Sequence, residues 1–167
     1  MPQEPYRFNQ VYEGNSTYTD IIRLAMRTKY CLLRYYYTQM FLIHKNGGSP
    51  IYKPLFFEYP DEVGAYDDYE NNVMIGSALK VSVLANAINV NETEFYFPSG
   101  TWCNIFFPDS EKCFSSEGIK MKKRSKAYDF YAHLREGYII PFQDGYTGDP
   151  KTVKDMQQKP VDFYINP

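Results

Sequence analysis

The chain has 167 residues, 18 Lys and Arg against 20 Asp and Glu, a formal net charge of −2, and 44% hydrophobic residues. That length suits one domain, or one domain with an appended piece, and the hydrophobic content excludes bulk disorder. The near-neutral balance excludes a general attraction to nucleic acid or to an anionic membrane, and no apolar run is long enough to span a bilayer.

Residues 1–16 read as an irregular, polar N-terminal segment without the apolar h-region of a signal peptide, so the chain is expected to be intracellular if Met1 is the true start. Asn15-Ser16-Thr17 and Asn91-Glu92-Thr93 are sequons, which makes Asn15 and Asn91 candidate N-glycosylation sites in a secreted or lysosomal setting.

Residues 17–48 read as one long helix. Thr17 or Thr19 can cap its start, Ile21, Leu24, Thr28, Cys31, Leu32 and Tyr35 recur at helical spacing, and Gly47 suits a left-handed C-cap. Its apolar coverage is broader than one stripe, so it is expected to have partners on most sides. From Gly48 onward the period changes. "IYKPLFFEY" is a short β-type run in which Pro54 points to an edge or a bulge. Residues 71–85 read as two strands kinked near Gly76. "TEFYFPSGTWCNIFF" reads as a strand, a Pro-Ser-Gly turn and a second strand, and a further pair breaks at Gly137. Residues 49–144 therefore read as an antiparallel β-sandwich, and 145–167 as a Gly- and Pro-punctuated linker ending in a β-like run, "VDFYI". The fold class expected is α+β.

Candidate chemistry is thin. The carboxylates Asp61, Glu62, Asp67, Asp68 and Glu70 follow Pro60, but adjacent strand residues point to opposite faces, and a retaining glycosidase needs two carboxyls about 5–5.5 Å apart. A structural turn is the better reading, and no catalytic residue is expected. No Gly-rich phosphate loop follows a strand and no paired His or CxxC offers metal ligands, so neither cofactor nor metal is expected. His44 reads as a helix-end residue, and His133 as a packed or rim residue. Trp102 reads either as a sugar-stacking ring or as an ordinary core residue, and "KMKKRSK" at 120–126 as a solvated hairpin tip. Cys103 and Cys113 bracket a hairpin-like segment and are a candidate disulfide, whereas Cys31 reads as a small core residue.

The order of motifs resembles glycoside hydrolase family 31, the α-glucosidase family. "RTKYCLLRYYYTQMFLIHKNGGSPIYKPLFFEYPDE" is similar to that family's long helix with its "RY-LLPYLYTL" core, followed by Gly and "P-V-RPLFFEFPDD". "MIGSALKVSVLA" is similar to "LLGPALLVSPVL", "TEFYFPSGTWCNIF" to "V-VYLP-G-WYD", and "AHLREGYIIPFQ" to "VRGGSIIP". The likeness covers residues 20–143. It departs at Arg34, where the family has Pro and where a straighter helix is expected, at Val83-Leu84, and at Glu136, which replaces the first Gly of a turn.

The resemblance implies that the helix is the last of a (β/α)8 barrel, that 49–144 is the proximal C-terminal β-domain and that 145–167 opens a distal one. It also implies that the family's catalytic aspartates lie outside this chain. A non-catalytic portion supporting a barrel that hydrolyses α-glucosidic bonds is then expected, inactive alone, with a protein partner carrying the barrel and a lysosomal or secreted address if it is part of a full-length glucosidase. The alternative is a family-derived structural or interaction subunit without glycosidase activity. A free carbohydrate-binding β-module is a third reading, motivated by the 17 Tyr and 12 Phe.

Overall fold

A computed structural model describes residues 11–12, 16–83, 92–106, 112–124, 130–148 and 150–167. Asn15 and Asn91, the two candidate glycosylation sites, lie outside the described residues. In chain order the elements are β1 (Val11–Tyr12), β2 (Ser16–Thr17), α1 (Tyr18–Cys31), α2 (Leu33–Asn46), β3 (Tyr52–Lys53), a 3-10 turn at Leu55–Phe57, α3 (Gly64–Asp67), β4 (Asn72–Ile75) and β5 (Leu79–Val83). There follow β6 (Glu92–Phe97), β7 (Gly100–Asn104), β8 (Cys113–Ser116), β9 (Ile119–Arg124), β10 (Phe130–Arg135), β11 (Tyr138–Phe142), α4 (Val153–Gln157) and β12 (Asp162–Asn166). The described fold is thus mostly antiparallel sheet with a few helices. The chain divides into two compact units, Met1–Tyr37 with Pro141–Asp162, and Thr38–Ile140 with Phe163–Pro167.

In the first unit, the single helix expected over 17–48 is interrupted: Leu32 falls between α1 and α2. The cause is a diverted carbonyl. The Cys31 C=O accepts the Gln143 N–H at 3.0 Å, and the Leu32 N–H reaches back only to Lys29 O, a tighter i−3 bond of 3.1 Å. Arg34, expected to straighten the helix, instead donates from Nε to Gln143 Oε1 at 3.1 Å. The buried Gln143 completes its set by donating from Nε2 to Met156 O (3.0 Å) and Lys159 O (2.7 Å), so every polar atom of its side chain is used. The Cys31 thiol accepts the Gly145 N–H at 3.2 Å, and burial pushes it above the ordinary thiol range. Helix α4 carries a capping box between Thr152 and Asp155.

In the second unit, α2 ends as its sequence signals: Gly47 adopts φ +83°, and the Gly48 N–H closes back onto Ile43 O at 3.1 Å. Six strands form one antiparallel sheet in the order β3-β4-β5-β10-β7-β8, and β6 pairs with β9 as a second, two-stranded sheet. Short β3 sits at the edge, and Pro54 ends it by leading into the 3-10 turn. Strands β6 and β7, read as neighbours around Pro98-Ser99-Gly100, do not pair with each other: that corner carries the chain from one sheet to the other. The basic run 120–124 is likewise no hairpin tip; it is strand β9, with Lys122 opposite Glu94.

The core lies between the sheets, built from Leu55, Tyr59, Met74, Phe95, Phe97, Trp102 and Tyr131. Each such ring or branched chain removed from water contributes about 1.5–3 kcal/mol before entropy is counted. Trp102 is fully buried, donates from Nε1 to Pro98 O at 2.8 Å, and meets Phe97 edge-on, so it offers no face to a sugar. Gly64 is required where it stands, because a Cβ there would lie 2.2 Å from the Tyr96 ring. Strand β12, the last β-like run of the sequence, pairs with β11.

Candidate functional site

The carboxylates after Pro60 are the natural place to look for acid–base chemistry, and their geometry assigns two of them to structure. Glu62 accepts from the Tyr96 hydroxyl at 2.6 Å and from the Ser99 N–H at 3.1 Å, which pins its turn to the corner between β6 and β7. Asp68, buried, accepts from Asn71 Nδ2 (3.0 Å), Asn72 Nδ2 (2.6 Å) and the Tyr96 N–H (2.8 Å). Asp61, Asp67 and Glu70 are exposed. A nucleophile and an acid that work together must flank one bond, and here Glu62 and Asp68 are each engaged by hydroxyl, backbone or amide donors.

A second group of charges lies beside the β4–β5 turn. Lys53 donates to Glu58, which also accepts from Ser77 Oγ at 3.1 Å and Arg135 Nη1 at 3.2 Å. Lys53 and Ser77 line a cleft of about 300 Å³, whose other walls include Gln39, Leu42 and Pro50. The Glu58 carboxylate next to it is ion-paired with both Lys53 and Arg135. Among the described residues, no group of three His, Cys, Asp or Glu could hold a metal ion, and no helix is long and apolar enough to cross a membrane.

Glu136 sits where the resemblance has a turn glycine. The turn is made by Gly137 at φ +75°, and the Glu136 carboxylate accepts from the Thr101 N–H at 2.7 Å; hydrogen bonding from the Thr101 side chain first, and then from that N–H, holds its pKa below the usual range. His44 lies exposed in the last turn of α2, where a cation suits the dipole. His133 is not a rim residue: it is fully buried inside the sandwich. The sulfurs of Cys103 and Cys113 stand at bonding distance, 2.11 Å, at directly opposed positions of β7 and β8.

Several large apolar side chains are exposed. On α2, Tyr37, Met40 and Phe41 follow one another at helical spacing and are 63%, 52% and 62% exposed. On the β11–β12 pair, Ile139, Phe163 and Ile165 are exposed as well. Contiguous exposed rings and long apolar chains mark an interaction surface more often than a bare one.

Two antiparallel sheets closed over an aromatic core, with exposed apolar side chains on α2 and on the β11–β12 pair, define a β-sandwich domain. The chain belongs to glycosyl hydrolase family 31: the profile of that family's C-terminal domain matches residues 48–140. It is 30% identical over 176 aligned positions to the lysosomal alpha-glucosidase of Mus musculus, covering 96% of this chain and 17% of that protein. It is also 30% identical to a family 31 glucosidase of Schizosaccharomyces pombe, covering 99% of this chain and 15% of that one. Its fold is similar to that of a family 31 dextranase from Flavobacterium johnsoniae, with a TM-score of 0.74 at 23% identity over 98% of this chain and 18% of that structure. The chain thus spans about a sixth of the length of the curated relatives it matches.

Proposed function

We propose that this chain is the non-catalytic C-terminal portion of an α-glucosidase-like family 31 protein. In this reading α1 and α2 derive from the last helix of a (β/α)8 barrel, and residues 49–144 are the proximal β-domain that covers and supports it. The catalytic barrel, present on another polypeptide or on a longer form of this one, hydrolyses α-glucosidic bonds, and this portion performs no chemistry alone. The observation that carries the proposal is the exposed Tyr37, Met40 and Phe41 stripe, which presents to water a surface suited to burial against a further layer. Residues 145–167 lead toward a distal β-domain, a reading supported by the outward Phe163 and Ile165 of β12.

The test is intact-mass analysis of the native assembly with an assay on maltose. A barrel-bearing polypeptide and α-glucosidase activity in the same particle, with no activity from the 167-residue chain alone, is the expected result. A particle that contains the chain but no glycosidase would instead support an interaction subunit that has left the family's chemistry.

A further inference from the structure

A cluster of buried polar side chains lies in the layer between the two sheets. There Lys80 of β5 and His133 of β10 stand directly opposite each other in the ladder, both with 0% exposure. The lysine is provided for. Its Nζ donates to Asn72 Oδ1 at 2.5 Å and to Ser82 Oγ, and lies 3.8 Å from the centre of the Phe97 ring. Asn72 in turn donates to Asp68, so a carboxylate reaches the ammonium through one amide.

The histidine is treated differently. Among the described residues neither of its ring nitrogens has a hydrogen-bond partner, and three rings lie against it: Phe97 at 4.8 Å and Phe114 at 5.6 Å, both edge-on, and Tyr131 stacked at 6.2 Å. The charged groups near it are cationic, Lys80 from β5 and Lys123 from β9. Asp68 ahead of β4, which reaches Lys80 through Asn72, is occupied by Asn71, Asn72 and the Tyr96 amide. A neutral imidazole fits this site as an aromatic disc. An imidazolium would bring a second positive charge beside Lys80 and two N–H donors with nothing to receive them.

We propose that His133 is an acid-sensitive latch of the sandwich: the two sheets close over the neutral ring, and taking up a proton opens them. Burial first, then Lys80 and Lys123, push its pKa well below the ordinary histidine value, and burial likewise lowers that of Lys80. The sign follows from linkage. An exposed histidine in the open chain binds a proton below about pH 6.5, whereas the closed sandwich does not. The open-to-closed ratio therefore rises roughly fivefold over the first pH unit below that point and approaches tenfold per unit further down, until the closed-state value is reached. Lys80 acts in the same sense from the normal lysine range downward and adds its slope equally to any variant that keeps it.

The experiment is urea unfolding of the 167-residue chain and of His133→Phe between pH 7.5 and 5.0, with the imidazole signals followed by NMR. The chain holds two histidines, so His44→Gln, a change at the exposed helix end, assigns the His133 resonance. The variant is expected to gain roughly fivefold in folded-to-unfolded ratio over the parent between pH 6.5 and 5.5. The His133 signal is expected to stay unprotonated for as long as the fold persists. Parallel pH profiles for the two proteins, or a His133 ring that titrates near pH 6.5 in the folded chain, overturns the latch. Should His133→Phe fail to fold, the NMR titration of His44→Gln decides alone.

Discussion

The carboxylate of Glu62 accepts a hydrogen bond from the Tyr96 hydroxyl at 2.6 Å, joining the turn after Pro60 to strand β6 of the smaller sheet. The same carboxylate receives the Ser99 amide, so one acidic side chain fixes both sides of the corner where the chain changes sheets. A charged acceptor of this kind contributes about 1.5–3 kcal/mol when partly shielded from water. Glu62→Ala is expected to lower unfolding free energy by about 1–2 kcal/mol, toward the low end because Ser99 is exposed, and Glu62→Gln by less. Urea unfolding measures both. Glucosidase activity of an assembled complex should be unchanged, and a selective fall in kcat with stability intact would return Glu62 to the catalytic candidates.

The Cys103–Cys113 pair closes a loop with a sequence separation of 10. Loop-closure entropy for that length corresponds to roughly 3 kcal/mol. Cys113→Ser, or reduction of the parent, should cost about that amount in unfolding free energy. Thiol titration of the denatured, unreduced chain should find Cys31 alone reactive. Reaction of all three cysteines before reduction would refute the pairing.

Alkaline pH offers a separate test. Tyr59 is buried with its hydroxyl unpartnered, and burial pushes its ionisation above the ordinary phenol range, offset in part by Arg135, whose guanidinium lies 4.6 Å from the ring centre. Tyr96 is raised too, by burial and by its bond to Glu62. A group whose pKa is raised on folding contributes stability that is whole below the unfolded value and lost as pH rises past it, here from about pH 10. Tyr59→Phe removes both the orphan hydroxyl and one such ionisation. Its stability at pH 7 should be unchanged or higher by about 1 kcal/mol, and its loss between pH 9 and 11.5 shallower than the parent's. Thermal melts across that range check it, and a destabilisation at pH 7 above about 2 kcal/mol would show that the hydroxyl is bonded in solution.

The stripe on α2 makes a prediction about behaviour rather than stability. Phe41→Lys with Met40→Glu alters exposed positions only, so folding should change by no more than about 0.5 kcal/mol. The chain should nonetheless stay monomeric at higher concentration, and its affinity for a barrel-bearing partner should fall at least tenfold. Sedimentation and a binding titration read the two effects. Unaltered affinity would place the docking surface elsewhere.

How far the sequence reaches can be judged from particular residues. The turn glycines and the alternating runs at 72–83 and 92–104 located the strands because φ requirements and period-two patterning are local. The helix period found α1 and α2 but not their break, since the break comes from Gln143, more than a hundred residues away, taking the Cys31 carbonyl. Pairing partners were equally out of reach: nothing in "YFPSGTW" says that its two strands part into different sheets. The Lys80 and His133 layer was missed for a related reason. In "ALKVSV" the alternation sends Lys80 and Ser82 to the face opposite Leu79 and Val81, and the usual inference is that the polar face meets solvent. In a sandwich that face can be the interior one, and only the ladder with β10 and the cover of Phe97 make it so. For two of the carboxylates after Pro60, Glu62 and Asp68, the partners Tyr96, Ser99 and Asn72 are set by the fold and carry no local signal in the sequence.

The proposed function divides labour between this chain and a barrel that carries the acid–base pair. Assay of the purified 167-residue chain on maltose, alone and after mixing with a polypeptide carrying a family 31 barrel, tests it most directly. The expected result is no turnover above background for the chain alone, and a stable complex whose activity resides in the barrel and survives heating better than the barrel by itself. Release of glucose at an enzymic rate by the chain alone, free of any second polypeptide, would contradict it.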